Sequence, residues 1–275
     1  MKLSVAVAGK QAPPSAFVVW RGFEESISKA ADLGYHGIEL ALKTAEDIDP
    51  DRLSSWLSKH SMEVSCISTG QVFATLGLYF THPDAEVRRK VIDLFDGLTT
   101  LAADFGRMVN VGRTRGFIGE GQSRQEAEQL FIDTSRQICD RAGERGVTII
   151  IEPVNRYEIN FVNNLDQGAE LLAKVGRENL GLMPDVFHMN IEDAHIGASL
   201  AKHAALVKYI HFADSNRWAP GWGHLDFDDV FAGLREANFD GWSSIEILPE
   251  PDPDSAARKA AETILPMIET YNKNR

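Results

Sequence analysis

The sequence has few cysteines, no long apolar stretch and a minority of positive charges. Its 275 residues include only two cysteines, Cys66 and Cys139. Two isolated thiols form neither a disulfide framework nor a CxxC metal or redox motif. Both lie in segments with an apolar pattern, so we expect them to be buried free thiols.

Basic residues are outnumbered by acidic ones. The 28 Lys and Arg residues against 40 Asp and Glu residues give a formal net charge of −12. No basic stripe interrupts this balance, and such a surface repels a phosphate backbone. Nucleic acid is therefore not an expected ligand.

No segment reaches the roughly 20 apolar residues that a membrane-spanning helix needs. The first apolar run, Leu3–Ala8, is followed by Gly9 and Lys10 and is too short for the hydrophobic region of a signal peptide. We therefore expect a cytoplasmic protein that does not associate with membranes.

Short apolar runs alternate with segments of helical periodicity along the whole sequence. The predicted strands are Leu3–Ala8, Gly37–Leu42, Val64–Ser68, Met108–Val111, Val147–Glu152, Leu180–Asp185, Val207–Ala213 and Trp242–Ile247. The predicted helices are Phe23–Leu33, Pro50–His60, Asp84–Phe105, Ser123–Arg145, Leu165–Val175, Phe227–Ala237 and Ser255–Tyr271.

This alternation indicates the fold class. Apolar strands separated by helices are typical of a parallel sheet that is covered on both faces. Eight such units predict an α/β fold, a (β/α)8 TIM barrel, for which roughly 250 residues is an ordinary length. No linker or low-complexity segment divides the chain, so we expect a single domain over residues 1–275. An open doubly wound sheet is the alternative, but no GxGxxG follows the first strand.

Four side chains that can bind a metal lie where predicted strands end. They are Glu152, Asp185, His211 and Glu246. In a closed parallel barrel, the carboxyl ends of the strands converge on one mouth. Three carboxylates and an imidazole crowded there repel one another unless a divalent cation lies between them. This oxygen-rich set suits Mn²⁺, Mg²⁺ or Co²⁺ better than a structural zinc.

Each of the four residues also has a simpler interpretation. Glu152 pairs with Arg156 at the rim, or Asp185 only caps the next helix. His211 is a hydrogen-bonded core residue, or Glu246 is a paired surface carboxylate. Four such coincidences at the same end of consecutive strands are less expected than one shared site.

Longer motifs surround these residues. Residues 152–158 read E-x-V-N-R-[FY]-E and residues 185–190 read D-x-F-H-M-N. Together with His211–Arg217, Gly221–Phe227 and Leu33–Leu40, they resemble the xylose-isomerase-like sugar isomerase/epimerase superfamily. Within it, the sequence is most similar to the ketose 3-epimerases of the tagatose/psicose epimerase type.

The resemblance implies a mechanism as well as a fold. It implies that the four residues at the strand ends bind the metal, and that Glu152 and Glu246 form the acid/base pair. It also implies that the hydroxyls of the substrate are held by Glu158, His188 and Arg217. Proton abstraction beside a carbonyl needs a base on one face and a stabilised enediolate, and a second carboxylate returns the proton with inversion. Members of the superfamily are often dimers or tetramers, so a homo-oligomer is expected.

The sequence departs from the family at the sugar pocket. Leu248 stands where an aromatic residue commonly follows the glutamate of strand eight, and the first strand offers Val7. The loop after strand four instead carries Arg113 and Arg115, which at a barrel mouth bind a phosphate or carboxylate. The alternative is that both are solvated loop charges. The expected substrate is thus a ketose or an acidic or phosphorylated sugar derivative.

Three functions remain in view. The first is a metal-dependent sugar epimerase or isomerase that works through an enediolate. The second is a decarboxylase or other lyase that acts on a 3-oxo sugar acid at the same site. The third is a DNA-repair endonuclease of the AP type, which shares the barrel but needs several zinc ions, more histidines and a basic surface. The negative charge and the single histidine of strand seven argue against the third.

Overall fold

Strands and helices alternate along the chain in the computed structural model, which describes residues 1–14 and 16–274. The strands are β1 (Lys2–Ala8), β2 (Trp20–Arg21), β3 (Gly37–Ala41), β4 (Glu63–Ser68), β5 (Met108–Val111), β6 (Thr148–Ile151), β7 (Leu180–Leu182), β8 (Tyr209–Phe212) and β9 (Trp242–Ile245). The helices are α1 (Phe23–Asp32), α2 (Pro50–His60), α3 (Gly70–Leu76), α4 (Ala85–Asp104), α5 (Arg124–Glu144), α6 (Leu165–Val175), α7 (Val186–Glu192), α8 (Ile196–Lys202), α9 (Phe227–Glu236) and α10 (Pro253–Lys273).

Eight of these strands form a parallel barrel. They pair in the order β7-β6-β5-β4-β3-β1-β9-β8, and β2 pairs with the carboxyl end of β1. The ring closes between β7 and β8 through two isolated bridges, Leu182 with Val207 and Asp185 with His211. The (β/α)8 prediction is therefore confirmed.

The β7–β8 contact consists of isolated bridges and not of a continuous ladder. Its backbone hydrogen bonds run from Leu182 N to Leu206 O at 2.8 Å, from Lys208 N to Leu182 O at 3.0 Å and from His211 N to Pro184 O at 2.9 Å. Because β7 ends at Leu182, its predicted continuation to Asp185 is wrong. Asp185 instead caps α7, and its side chain accepts a hydrogen bond from Phe187 N.

Local signals in the sequence explain the helix boundaries. Asp49 caps α2 with Pro50 in the first turn, where the missing N–H is not needed. Ser123 and Glu126 form the expected capping box at the start of α5. Helices α3, α7 and α8, each of seven residues, were not predicted, because so short a segment shows no clear helical period.

The core has two parts. Apolar side chains fill the space between the barrel and the helices, while the barrel interior also holds polar groups, among them Ser4, Glu39 and Ser65, all fully buried. Both cysteines are buried free thiols, as predicted. Among the described residues, no helix combines the length and the apolar character required to cross a membrane.

Candidate active site at the carboxyl ends of the strands

The barrel brings the four predicted metal ligands together. Glu152 follows β6, Asp185 begins α7, His211 lies in β8 and Glu246 follows β9. One ligand atom from each lies within 4.8 Å of the others. Asp185 and His211 are completely buried, and Glu246 is the most accessible of the four. Residues almost 100 positions apart thus meet because their strands are neighbours in the ring.

Two atoms in this cluster have no hydrogen-bond partner among the described residues. Asp185 Oδ2 and His211 Nδ1 are both buried and unpaired. The other ends of these side chains are fixed: Asp185 Oδ1 accepts from Phe187 N at 2.9 Å, and His211 Nε2 lies 2.9 Å from Glu39 Oε2. The free His211 Nδ1 lies 3.6 Å from Glu246 Oε2 and 4.0 Å from Glu152 Oε1. Carboxylate oxygens around an unpaired imidazole nitrogen fit a divalent cation.

Asp185 caps α7, as its simpler interpretation predicted, and it also belongs to the cluster. One carboxylate oxygen caps α7 and the other faces the cluster. The simpler interpretation of Glu152 does not hold, because Arg156 pairs with Glu192 instead, with Nη2 to Oε2 at 2.7 Å.

Burial and crowding shift the pKa values in the cluster in opposite directions. Burial, reinforced by the charge of Glu246, raises the pKa of Glu152 to about 8, and burial raises the pKa of Asp185 to about 6. Burial acts the same way on Glu246, but the positive charges of His211 and Arg217 and the hydrogen bond from Arg217 lower its pKa to about 2. Without a cation, one glutamate therefore holds a proton while the other is ionised.

His211 is protonated as well. Burial alone lowers the pKa of an imidazole, but the charges of Glu39 and Glu246 raise the pKa of His211 well above its usual range. The protons on Glu152 and His211 thus reduce the net negative charge of the cluster.

Arg217, His188 and Glu158 form a second group beside the cluster. Arg217 Nη2 donates to Glu246 Oε2 at 2.6 Å, and Arg217 Nη1 lies 3.2 Å from His188 Nε2. Asn155 Nδ2 lies 2.8 Å from His188 Nδ1 and donates to Glu158 Oε1 at 3.1 Å. Burial and the charge of Arg217 lower the pKa of His188 well below its usual range, so its ring is neutral.

The two arginines of the β5 loop have different environments. Arg113 is half-buried and lines the cavity in front of the cluster. Arg115 is completely buried and does not reach that cavity. Its guanidinium donates to the backbone oxygens of Gly112, Glu152, Phe161 and Val162 at 2.7–3.2 Å. The expectation that Arg115 binds substrate is therefore corrected, because its hydrogen bonds tie the β5 and β6 loops together.

The cavity is narrow and lies directly over these groups. It encloses about 60 Å³ and is lined by residues from the loops after β1, β4, β5, β6 and β9. Phe17 covers one side, with Arg217 Cζ 4.1 Å from its ring centroid. Phe187 packs against the same guanidinium at 4.8 Å.

A family model described as a xylose isomerase-like TIM barrel matches residues 27–267. The chain belongs to the xylose isomerase-like TIM barrel family. Its family relatives are carbohydrate epimerases and isomerases.

Two sequence relatives and one solved structure illustrate the similarity. A ketose 3-epimerase of Arthrobacter globiformis is 28% identical over 228 residues, which are 80% of this chain and 75% of that protein. A 3-dehydro-D-guloside 4-epimerase of Escherichia coli is 31% identical over 131 residues, 47% of this chain and 50% of its own. A solved L-ribulose 3-epimerase shares the fold, with a TM-score of 0.83 at 23% identity over 98% of this chain and 96% of that chain.

Several residues of this family member escaped the sequence analysis. Glu39 Oε2 lies 2.9 Å from His211 Nε2 and also accepts a hydrogen bond from Tyr209 Oη at 2.9 Å. Its one signal was an acidic residue inside the apolar run of β3. Asn155 was visible only as part of a motif, and Phe17 lies in a loop outside every predicted element, so neither could be assigned a contact.

Proposed function

We propose that the protein is a metal-dependent sugar epimerase that inverts a carbon beside the carbonyl of a ketose or of an acidic or phosphorylated derivative. One observation carries this proposal. Glu152 and Glu246 face the same cluster from β6 and β9, which are separated in the ring by the two strands that position Asp185 and His211. A sugar in the cavity would thus have a carboxyl group on either side.

Inversion needs a base on one face of the carbon and an acid on the other. Without a cation, the pKa of Glu152 is raised to about 8 and that of Glu246 is lowered to about 2, so the two carboxyl groups differ in proton affinity, which suits an acid and a base of one pair. The ionised carboxylate removes the carbon-bound proton, and the protonated one delivers its proton to the opposite face. The two roles exchange in the reverse direction.

The residues that would hold the cation are Glu152, Asp185, His211 and Glu246. We propose Mn²⁺, with Mg²⁺ or Co²⁺ as alternatives, because the donor set is mainly carboxylate oxygen. When bound, a divalent cation supplies Lewis-acid stabilisation of the negative charge on the substrate oxygens.

The neighbouring side chains support the same reaction. Arg217 is bonded to Glu246 and has neutral His188 beside it, so it is placed to hold a sugar oxygen next to an acid/base group. Glu158 has a carboxylate at the cavity wall that can accept a hydroxyl proton. Phe17 lines the cavity beside Arg217 and would help to exclude water from the reacting carbons.

The test is exchange of carbon-bound hydrogen with D₂O. We expect Glu152→Gln and Glu246→Gln each to lower the exchange rate by about 10²–10⁴-fold, because each loses a proton-transfer group. Exchange is followed by NMR at saturating Mn²⁺ with a panel of ketoses and sugar acids, and the bound metal is measured in every variant. Glu236→Gln removes a similar charge from the exposed end of α9 and serves as the control. A metal-loaded glutamine variant that exchanges at the wild-type rate would remove that glutamate from the acid/base pair.

Decarboxylation is the second candidate, because Arg113 lines the cavity and offers a site for a carboxylate. In that reaction the same site would stabilise the carbanion left when CO₂ departs from a 3-oxo sugar acid. Released CO₂ with loss of substrate mass would support this candidate, whereas a new diastereomer of equal mass supports epimerisation.

A DNA-repair endonuclease has less support. Within residues 1–14 and 16–274, one cluster of metal-binding groups was found, and it contains a single histidine. The formal charge of −12 also disfavours DNA binding. Several zinc ions per chain in the purified protein would favour this candidate.

A dimeric or tetrameric state and a cytoplasmic location stay predictions.

A further inference from the structure

The wall of the cavity opposite the cluster is polar. It comes from the start of α3, which follows β4, and from the end of β5 and the loop after it, and β4 and β5 lie across the ring from β8 and β9. Gln71, Asn110 and Arg113 contribute its polar side chains. None of the three is among the four residues that would hold the cation.

Two acceptors on this wall have no partner among the described residues. Gln71 Oε1 and Asn110 Oδ1 are buried and unpaired, and the side chains are only 4% and 2% exposed. Each amide nitrogen is already engaged: Gln71 Nε2 donates to Ala41 O at 2.9 Å, and Asn110 Nδ2 lies 3.4 Å from Met183 Sδ. A buried acceptor without a partner is unfavourable, so these oxygens are suited to donors from a ligand. Sugar hydroxyls are such donors.

Arg113 is a cation without a counter-ion in the described part of the chain. Its guanidinium makes no hydrogen bond or ion pair there. It lies over the ring of Phe73, with Cζ 6.0 Å from the ring centroid. By contrast, Arg115 is fully hydrogen-bonded, Arg156 pairs with Glu192 and Arg217 pairs with Glu246. Among the arginines near the mouth, Arg113 is thus free to bind an anion.

A second cavity adjoins the first beside Arg113. It encloses about 320 Å³ and shares Arg113 and Glu158 with the first. Its other walls come from Phe73, Phe117, Arg156, Tyr157, Ile159 and Asn160. A substrate longer than the inner cavity therefore has room beside the guanidinium.

We infer that the substrate is a sugar with an anionic group, a carboxylate or a phosphate ester, at the end away from the reacting carbons, and that Arg113 binds this group. Gln71 and Asn110 accept hydrogen bonds from the hydroxyls between the two ends. This inference rests on the proposed epimerase function and adds the substrate class. In a chain of net charge −12, a single unpaired guanidinium gives the mouth a local site for an anion that the rest of the surface repels.

The experiment compares neutral and anionic sugars of the same configuration. The panel contains the four D-ketohexoses, their 6-phosphates and the matching keto acids with a carboxylate at C6. Exchange with D₂O is measured by NMR with Mn²⁺ for the wild type, Arg113→Gln and Arg107→Gln. Arg107 lies at the opposite end of β5 and is exposed, so its variant removes the same charge away from the mouth.

The wild type is expected to show a kcat/KM at least tenfold higher for one class of anionic sugar than for its neutral counterpart. Arg113→Gln should lower kcat/KM for that anionic sugar at least tenfold more than for the neutral one, whereas Arg107→Gln should leave the preference intact. Calorimetry with the metal-free protein should show at least tenfold weaker binding of the anionic sugar to Arg113→Gln. The phosphate and carboxylate arms identify which anion is preferred.

The outcomes separate the inference from the proposed function. Equal rates with neutral and anionic sugars, or a preference that survives in Arg113→Gln, would overturn the anionic subsite and leave the epimerase standing. If no sugar in the panel exchanges hydrogen with the wild type, the epimerase proposal itself is contradicted and the inference falls with it.

Discussion

His211 shows how a single buried contact orients a proposed metal ligand. Its Nε2 is held by Glu39, so the free Nδ1 points at the cluster in one orientation. Carboxylates that hold a ligating histidine in this way fix its ring and increase its basicity. Glu39 in turn is held by Tyr209, which also bonds to Ser4 and Ser65 deeper in the barrel.

We expect Glu39→Gln to weaken Mn²⁺ binding by about 10–100-fold, because the carboxylate that orients His211 loses its charge. Calorimetric titration of the metal-free protein measures this directly. Glu24→Gln, an exposed substitution on α1, is the control. Unchanged affinity in Glu39→Gln would mean that the backbone alone orients the imidazole.

The protons in the cluster predict how metal binding depends on pH. With the pKa of Glu152 raised to about 8 and that of His211 raised well above its usual range, both groups hold protons at neutral pH when no cation is present. A cation must displace these protons, so binding releases them and the affinity rises as pH increases toward 8, by about tenfold per unit for each proton released. Titrations in buffers of different ionisation enthalpy at pH 6.5 and 7.5 measure the released protons. An affinity that is independent of pH in this interval would contradict the protonated resting state.

At the scale of the element, the loop between β7 and α7 combines two tasks in one side chain. Asp185 caps the helix with one oxygen and presents the other to the cluster. Capping needs a side-chain oxygen that accepts from a backbone N–H, and asparagine supplies one about as well as aspartate, whereas a metal ligand of this kind needs the charge.

Two substitutions separate these tasks. We expect Asp185→Asn to leave the free energy of unfolding of the metal-free protein within about 0.5 kcal/mol of the wild type, because the cap is kept. Asp185→Ala should lower it by about 1 kcal/mol through loss of the cap. Both should bind Mn²⁺ much more weakly than the wild type. Denaturant unfolding and metal titration on the same three proteins provide the comparison, and equal stability losses in the two variants would contradict the separation.

Elements with a strong apolar period could be predicted from the sequence, and short ones could not. Helices α4 and α5 are amphipathic over about twenty residues and carry clear caps, so their existence and type followed from the pattern. The end of β7 was misplaced because Met183 and Pro184 continue the apolar run, whereas the regular strand stops at Leu182 and only an isolated bridge at Asp185 follows. Arg115 was misjudged for a related reason: a charged residue in a Gly-rich loop predicts exposure, and only the fold shows four carbonyl oxygens around it.

At the scale of the whole molecule, the ring closes at the β7–β8 contact, where two of the four proposed metal ligands lie. Its fold class was predictable, since eight alternating units leave few other arrangements. The single-domain interpretation of residues 1–275 stays a prediction. Asp185 and His211 face each other in one of the two isolated bridges of the β7–β8 contact, so a cation bound to both would join two strands that no continuous ladder connects.

Mn²⁺ should therefore stabilise this contact more than the rest of the barrel. We expect the amides of Leu182, Lys208 and His211 to exchange with D₂O faster in the metal-free protein than the amides between β3 and β4, and to slow when Mn²⁺ is added. Hydrogen exchange followed by mass spectrometry measures both regions in one experiment. Uniform slowing across the barrel would contradict a local effect.

The small space beneath Phe17 has a consequence for turnover. Pockets for small-molecule ligands usually enclose about 300–1,000 Å³, and this one encloses about 60 Å³. A bound sugar needs more space than this, and displacement of the Phe17 ring, which lies against the guanidinium of Arg217, would provide it. The same displacement would uncover Arg217, so the rate of this movement would then set an upper limit on turnover.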